Sequence, residues 1–91
     1  MEKTLNVLIK GRVQGVGFRY FTKNKAKELH LSGWVRNLPD GSVETMVMGP
    51  FSVLEQLLHC LKKGPVGSHV ESVEVQWLSE PQEFKGFEIR F

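Results

Sequence analysis

Thr4-Leu-Asn-Val-Leu-Ile-Lys-Gly-Arg-Val-Gln-Gly-Val-Gly-Phe-Arg19 changes its period partway along, and the fold turns on that change. In the first half, Leu5, Val7 and Ile9 alternate with Asn6, Leu8 and Lys10, the period of a strand packed on one face. Gly11, Gly15 and Gly17 then break the alternation. Beyond them Phe18, Thr22, Ala26 and Leu29 recur at helical spacing through the stretch that ends at His30, so a glycine-rich loop opens a first helix.

Downstream of Gly33, Trp34 to Asn37 reads as a second strand, and Leu38-Pro-Asp-Gly41 supplies turn chemistry before a third strand over Ser42 to Met48. Gly49-Pro50 ends this hairpin. Ser52 with Glu55 three residues later has the form of a capping box, and Phe51, Leu54, Leu58 and Leu61 give the second helix its apolar stripe. That helix should stop at Gly64-Pro65. Val73, Val75 and Trp77 mark a fourth strand, Glu80-Pro81 a break, and Phe87, Ile89 and Phe91 a fifth. The order predicts an α+β, ferredoxin-like split βαβ sandwich, an antiparallel sheet with two helices on one face and an added C-terminal strand. In that topology strand three lies between strands one and two and runs antiparallel to both. Strands one and two are then parallel, so the loop after the first and the end of the second open on one edge. Arg19 and Asn37 should converge there.

A chain of 91 residues with 41% hydrophobic content can bury one core, which makes residues 1–91 a single domain. Its apolar runs are too short for a membrane span, and its first residues lead into a strand rather than a secretory h-region. A soluble, cytoplasmic protein without membrane partners is expected. Cys60 is the sole cysteine, which excludes an intramolecular disulfide or a cysteine-built metal site. His30, His59 and His69 lack ligand spacing, so no metal and no cofactor is expected. The net charge of +2 is dispersed, and Lys23, Lys25 and Lys27 read as the wet side of the first helix, which gives no footing for nucleic acid. Trp34, Trp77 and the phenylalanines read as core or sheet-face residues, and Asp40 as a turn former.

The glycines of Gly11 to Arg19 let the backbone come close to a ligand, and a loop entering a helix N-terminus presents unsatisfied amides and the positive end of the helix dipole. Arg19 in the first turn is disfavoured by that dipole, which a bound anion would explain. Spacing alone leaves open a tight strand-to-helix connection with Arg19 in solvent. The loop lacks the Gly-Lys-Ser/Thr ending of nucleotide phosphate loops and the longer context of a dinucleotide fingerprint.

Gly11-Arg-Val-Gln-Gly-Val-Gly-Phe-Arg19 resembles the first signature of the acylphosphatase family, and Gly33-Trp-Val-Arg-Asn-Leu-Pro-Asp-Gly-Ser-Val43, continuing to Gly49, resembles the second. The resemblance covers essentially the whole chain. It implies hydrolysis of the carboxyl-phosphate anhydride of small-molecule acyl phosphates, without metal, to a carboxylate and inorganic phosphate, the latter also a competitive inhibitor. It further implies that Arg19 and the loop Gln14, Gly15, Val16, Gly17, Phe18 and Arg19 bind the phosphoryl group, and that Asn37 positions the attacking water. A guanidinium can grip two phosphoryl oxygens in a fork, and a carboxamide can orient water without titrating. A carboxylate leaving group, with a conjugate-acid pKa of about 4 to 5, hardly needs a general acid. A monomer is the expected state. Two other functions fit the fold: single-stranded RNA binding by aromatics on the open sheet, for which no aromatic-basic signature is evident, and non-catalytic binding of an acyl or carbamoyl phosphate.

Overall fold

The computed structural model describes residues 2–79 and 82–91. Seven elements follow in order: β1 (Glu2–Arg12), α1 (Phe18–Glu28), β2 (Ser32–Asn37), β3 (Val43–Pro50), α2 (Phe51–Lys63), β4 (His69–Leu78) and β5 (Phe87–Arg90). The strands form one sheet in the order β4-β1-β3-β2-β5. β3 lies between β1 and β2 and is antiparallel to both, as the split βαβ reading requires. The break expected at Glu80-Pro81 lies outside the described residues.

The expectation of a purely antiparallel sheet needs correction, because β5 pairs parallel with β2 and the sheet is mixed. Direction explains it. β4 runs opposite to β1 at one edge, so the chain reaches the far edge with only the return direction left, which is that of β2. The amide of Gly33 donates to the carbonyl of Gly86 at 2.9 Å and fixes where this last strand begins. Phe91, expected as a strand residue, falls beyond β5 and is 97% exposed.

Alternation along β1 buries Leu5, Val7 and Ile9 completely on the helix-bearing side. Across the sheet Val35, Val43 and Val47 join them, and Phe18, Ala26, Leu54, Leu57 and Leu61 close the core from the two helices. Each fully buried aliphatic or aromatic side chain contributes about 1.5–3 kcal/mol relative to exposure, so this layer holds the sheet edge that carries the loop after β1. Thr22 lies in the same layer but remains satisfied, donating its hydroxyl to the Phe18 carbonyl at 2.9 Å.

Both helices depart in detail from the sequence reading. α1 ends at Glu28, with Leu29 as its cap. His30 takes a left-handed conformation at φ 58°, and the amide of Leu31 reaches back to the Ala26 carbonyl at 2.8 Å. α2 begins directly after Pro50, which places Ser52 inside the first turn, where it makes no capping bond. The apparent capping box is therefore not one. Leu57, not named in the predicted stripe, is buried with Leu54 and Leu61, whereas Phe51 is half-exposed and packs on Trp77 with ring centroids 4.9 Å apart. Gly64 ends α2 with φ 71°, where Gly64-Pro65 suggested. No helix among the described residues is long and apolar enough to cross a membrane.

Candidate active site

β1 overruns its predicted end and continues to Arg12 through an irregularity between Lys10 and Gly11. Gly11 belongs to that strand and not to the loop. A Cβ there would collide with the backbone carbonyl of His69 on β4, so its role is close strand approach. The cradle proper starts later. Gly15 and Gly17 have φ of 75° and 77°, and an added Cβ at either would meet nothing within 4 Å. Glycine is required at these two positions by backbone conformation rather than by crowding.

Gly17 is also the N-cap of α1. It offers no capping side chain, and the first turn contains no acidic residue. The amides of Gly15, Val16, Gly17, Phe18, Arg19 and Tyr20 find no acceptor among the described residues, and the first bond of the helix is Phe21 to the Gly17 carbonyl at 2.9 Å. Gly15, Gly17 and Tyr20 are exposed, and a row of unpaired amides at a helix start forms an anion-binding concavity open to a ligand. Phe18 anchors this row. Its ring is buried and meets Phe21 edge-on at 5.9 Å, so only its backbone faces the loop.

The side chain of Gln14 points elsewhere. Its Nε2 donates to the carbonyls of Leu38 and Ser42 at 2.8 and 2.9 Å, tying the loop to the β2–β3 turn. That turn is closed by the amide of Leu38 on the Ser42 carbonyl at 2.8 Å. Asp40 accepts from the hydroxyl and the amide of Ser42, which together hold its carboxyl below the usual aspartate range. Asp40 is thus engaged as a turn former, in line with its Pro-Asp-Gly setting.

The consequence of this tie is spatial. Gly15, Gly17, Arg19 and Asn37 line one cavity of about 80 Å³ at the edge where β1 and β2 end, together with Val13, Phe18 and Tyr20. Gln14 and Val16 are not among its lining residues; Val16 packs against the core. Larger hollows lie elsewhere: about 260 Å³ beside Lys3, Phe51 and Trp77, and about 420 Å³ over Asn6, Glu74 and Gln76. Neither brings together an arginine and a row of free amides, so donor chemistry rather than size distinguishes the small cavity.

Arg19 also stands apart electrostatically. Lys10, Lys25, Arg36 and Arg90 each lie within 4.0 Å of a glutamate, whereas Arg19 has no ion pair among the described residues. Its guanidinium instead sits 4.7 Å from the ring centroid of Phe91. Sequence reasoning missed this ring and Tyr20, because neither a terminal residue nor an exposed helical tyrosine carries a local signal. No group of three or more His, Cys, Asp or Glu among the described residues could hold a metal ion.

The open sheet face does carry an aromatic-basic cluster that the sequence did not reveal. Trp34 has Arg36 and Arg90 at 5.0 and 4.8 Å from its ring. The two arginines cover the indole, leaving it 8% exposed, and they pair with Glu44 and Glu88. A base has no free face to stack on there.

Comparison with known proteins agrees with this geometry. A family model described as acylphosphatase matches residues 5–89. An acylphosphatase of Thermus thermophilus is 55% identical over 85 residues, covering 93% of this chain and 96% of that protein. One from Salinibacter ruber is 46% identical over 89 residues, covering 98% and 94%. The crystal structure of acylphosphatase from Bacillus subtilis superposes with a TM-score of 0.95 at 35% identity over 100% of both chains. A match that runs from the start of β1 to the last strand, and includes the cradle and the end of β2, places the chain in the acylphosphatase family.

Proposed function

We propose that this protein hydrolyses small-molecule acyl phosphates at the β1–β2 edge, with Arg19 and the amides of Gly15 to Arg19 holding the phosphoryl group and Asn37 aligning water. The observation that carries this reading is the shared cavity, in which an arginine and loop amides that have no acidic or acceptor partner among the described residues meet one carboxamide. The phosphoryl oxygens take the place that protein acceptors leave open, and the guanidinium offsets their charge as the bond to the leaving group lengthens.

Water bound at the Asn37 carboxamide attacks phosphorus. A bond forms between its oxygen and phosphorus, the bond from phosphorus to the acyl oxygen breaks, and the electron pair leaves on the carboxylate. One proton of the water stays on the new phosphate and the other passes to it or to solvent. The leaving carboxylate is stable unprotonated at neutral pH, so no histidine or acid need stand nearby. The cradle's donors are a cation and N–H groups, which suit an anion and repel a metal ion. The metal-independent reading rests on that donor set. We place the activity in a cytoplasmic monomer, with inorganic phosphate as product and competitive inhibitor. The reading of residues 1–91 as one domain is supported by the single core.

Steady-state hydrolysis of benzoyl phosphate tests the reading. Turnover should persist in EDTA and fall at least a hundredfold in Arg19→Lys, since a point charge cannot reproduce the two-pronged grip. A folded wild type without turnover, or one that needs added Mg²⁺, would overturn it.

A further inference from the structure

The cavity that would hold the phosphoryl group is small, and an acyl phosphate is larger than its phosphoryl end. With about 80 Å³ available between Arg19 and Asn37, the acyl part has to leave the cradle and lie on its rim. What the rim presents there decides which acyl groups are favoured.

Tyr20 is on that rim. It lines the cavity, yet 63% of its surface is exposed. Two residues after Phe18 on α1, it points away from the core that Phe18, Thr22 and Ala26 enter. Among the described residues its ring pairs with no other aromatic and its hydroxyl has no hydrogen-bond partner, so the fold makes no use of the side chain. A second exposed ring, Phe91, stands against the guanidinium of the neighbouring Arg19. The other stacked, partly exposed pair, Phe51 with Trp77, lies at the opposite end of the sheet, where β1 begins and β3 ends.

An aromatic face beside the cradle attracts a flat or extended apolar group and offers an acetyl methyl little to contact. We propose that Tyr20 is the platform for the acyl group, which makes acyl phosphates with aromatic or long apolar acyl parts the favoured substrate class. This rests on the acyl phosphate hydrolysis proposed above. Tyr20 then sets specificity through contact with the leaving group, while the phosphoryl chemistry stays with Arg19, Asn37 and the loop.

The test compares kcat/KM for benzoyl phosphate and acetyl phosphate in the wild type, Tyr20→Ser and Tyr20→Phe. Taking the benzoyl-to-acetyl ratio within each protein, then comparing ratios, removes the intrinsic difference in reactivity between the two anhydrides. Tyr20→Ser should lower the ratio roughly fivefold, chiefly through a higher KM for benzoyl phosphate. Tyr20→Phe keeps the ring and should keep the ratio. An unchanged ratio in Tyr20→Ser would overturn the proposal. So would an equal loss on both substrates accompanied by weaker inhibition by inorganic phosphate, which would assign Tyr20 to the cradle itself. A wild type inactive on both substrates would instead reject the acyl phosphate reading, and the platform with it.

Discussion

Replacing Gln14 with alanine should uncouple the two halves of the site while leaving the protein folded. Gln14 spends both hydrogens of its Nε2 on the carbonyls of Leu38 and Ser42, across 24 and 28 residues of chain. Net hydrogen-bond contributions cluster near 1 kcal/mol each. The larger cost of stranding a buried acceptor does not arise, because Leu38's carbonyl still accepts from Gly41 at 3.1 Å and Ser42's from Leu38 at 2.8 Å. The loss of stability should therefore be about 1–2 kcal/mol, a minority of a small domain's total. Activity should fall further than stability does. Asn37 directly precedes the tethered turn, and a displacement on the order of 1 Å can cost about a hundredfold in rate, so kcat/KM for benzoyl phosphate should drop ten- to a hundredfold. Gln14→Glu should be worse in both respects, since a carboxylate would face two carbonyls with no proton to donate. Urea unfolding gives the stability change and steady-state kinetics the rate. Normal kinetics in a Gln14→Ala protein destabilised by the expected amount would refute the idea that this tie aligns Asn37 with the cradle.

His30→Gly removes a side chain from a left-handed cap and should stabilise the protein by about 0.5–1 kcal/mol in urea unfolding, the glycine's looser unfolded state offsetting part of the gain. Thr4 is buried and its hydroxyl has no partner among the described residues, so Thr4→Val should be neutral or raise stability by about 1 kcal/mol, and a clear loss would mean the hydroxyl has a partner. Asp40 titrates below its usual value in the folded state, mainly through the Ser42 hydroxyl. Its contribution is present above the ordinary aspartate pKa and is lost as pH falls through the depressed one. The stability gap between wild type and Asp40→Ala should accordingly be full at neutral pH and close in acid, and a gap independent of pH would contradict the ion's role in the turn.

Much of the architecture was legible in the sequence because strands and helices carry their periods locally. Leu5, Val7 and Ile9 announced a one-faced strand, Phe18, Thr22 and Ala26 a helical stripe, and element order alone placed β3 between β1 and β2. The failures are of a different kind. Ser52 and Glu55 have cap spacing, but Pro50 starts α2 too early for it to act. The parallel β5 follows from which edge remained free, a property of the whole sheet. Gly11 looks like its neighbours in the glycine run, and only the crossing of β4 shows that it serves the strand. At the site, the convergence of Arg19 and Asn37 could be argued from topology. The turned-away side chain of Gln14, the ring over Arg19 and the exposed ring of Tyr20 could not, since each depends on residues distant in sequence or on solvent exposure.

The division of labour between Arg19 and Asn37 is the central claim, and one measurement separates their roles: the inhibition constant of inorganic phosphate beside kcat for benzoyl phosphate, in wild type and Asn37→Ala. If Asn37 aligns water while Arg19 and the loop amides hold the phosphoryl group, Asn37→Ala should bind phosphate within about threefold of wild type yet lose at least a hundredfold in kcat. Full turnover in Asn37→Ala, or loss of phosphate binding together with turnover, would contradict the account.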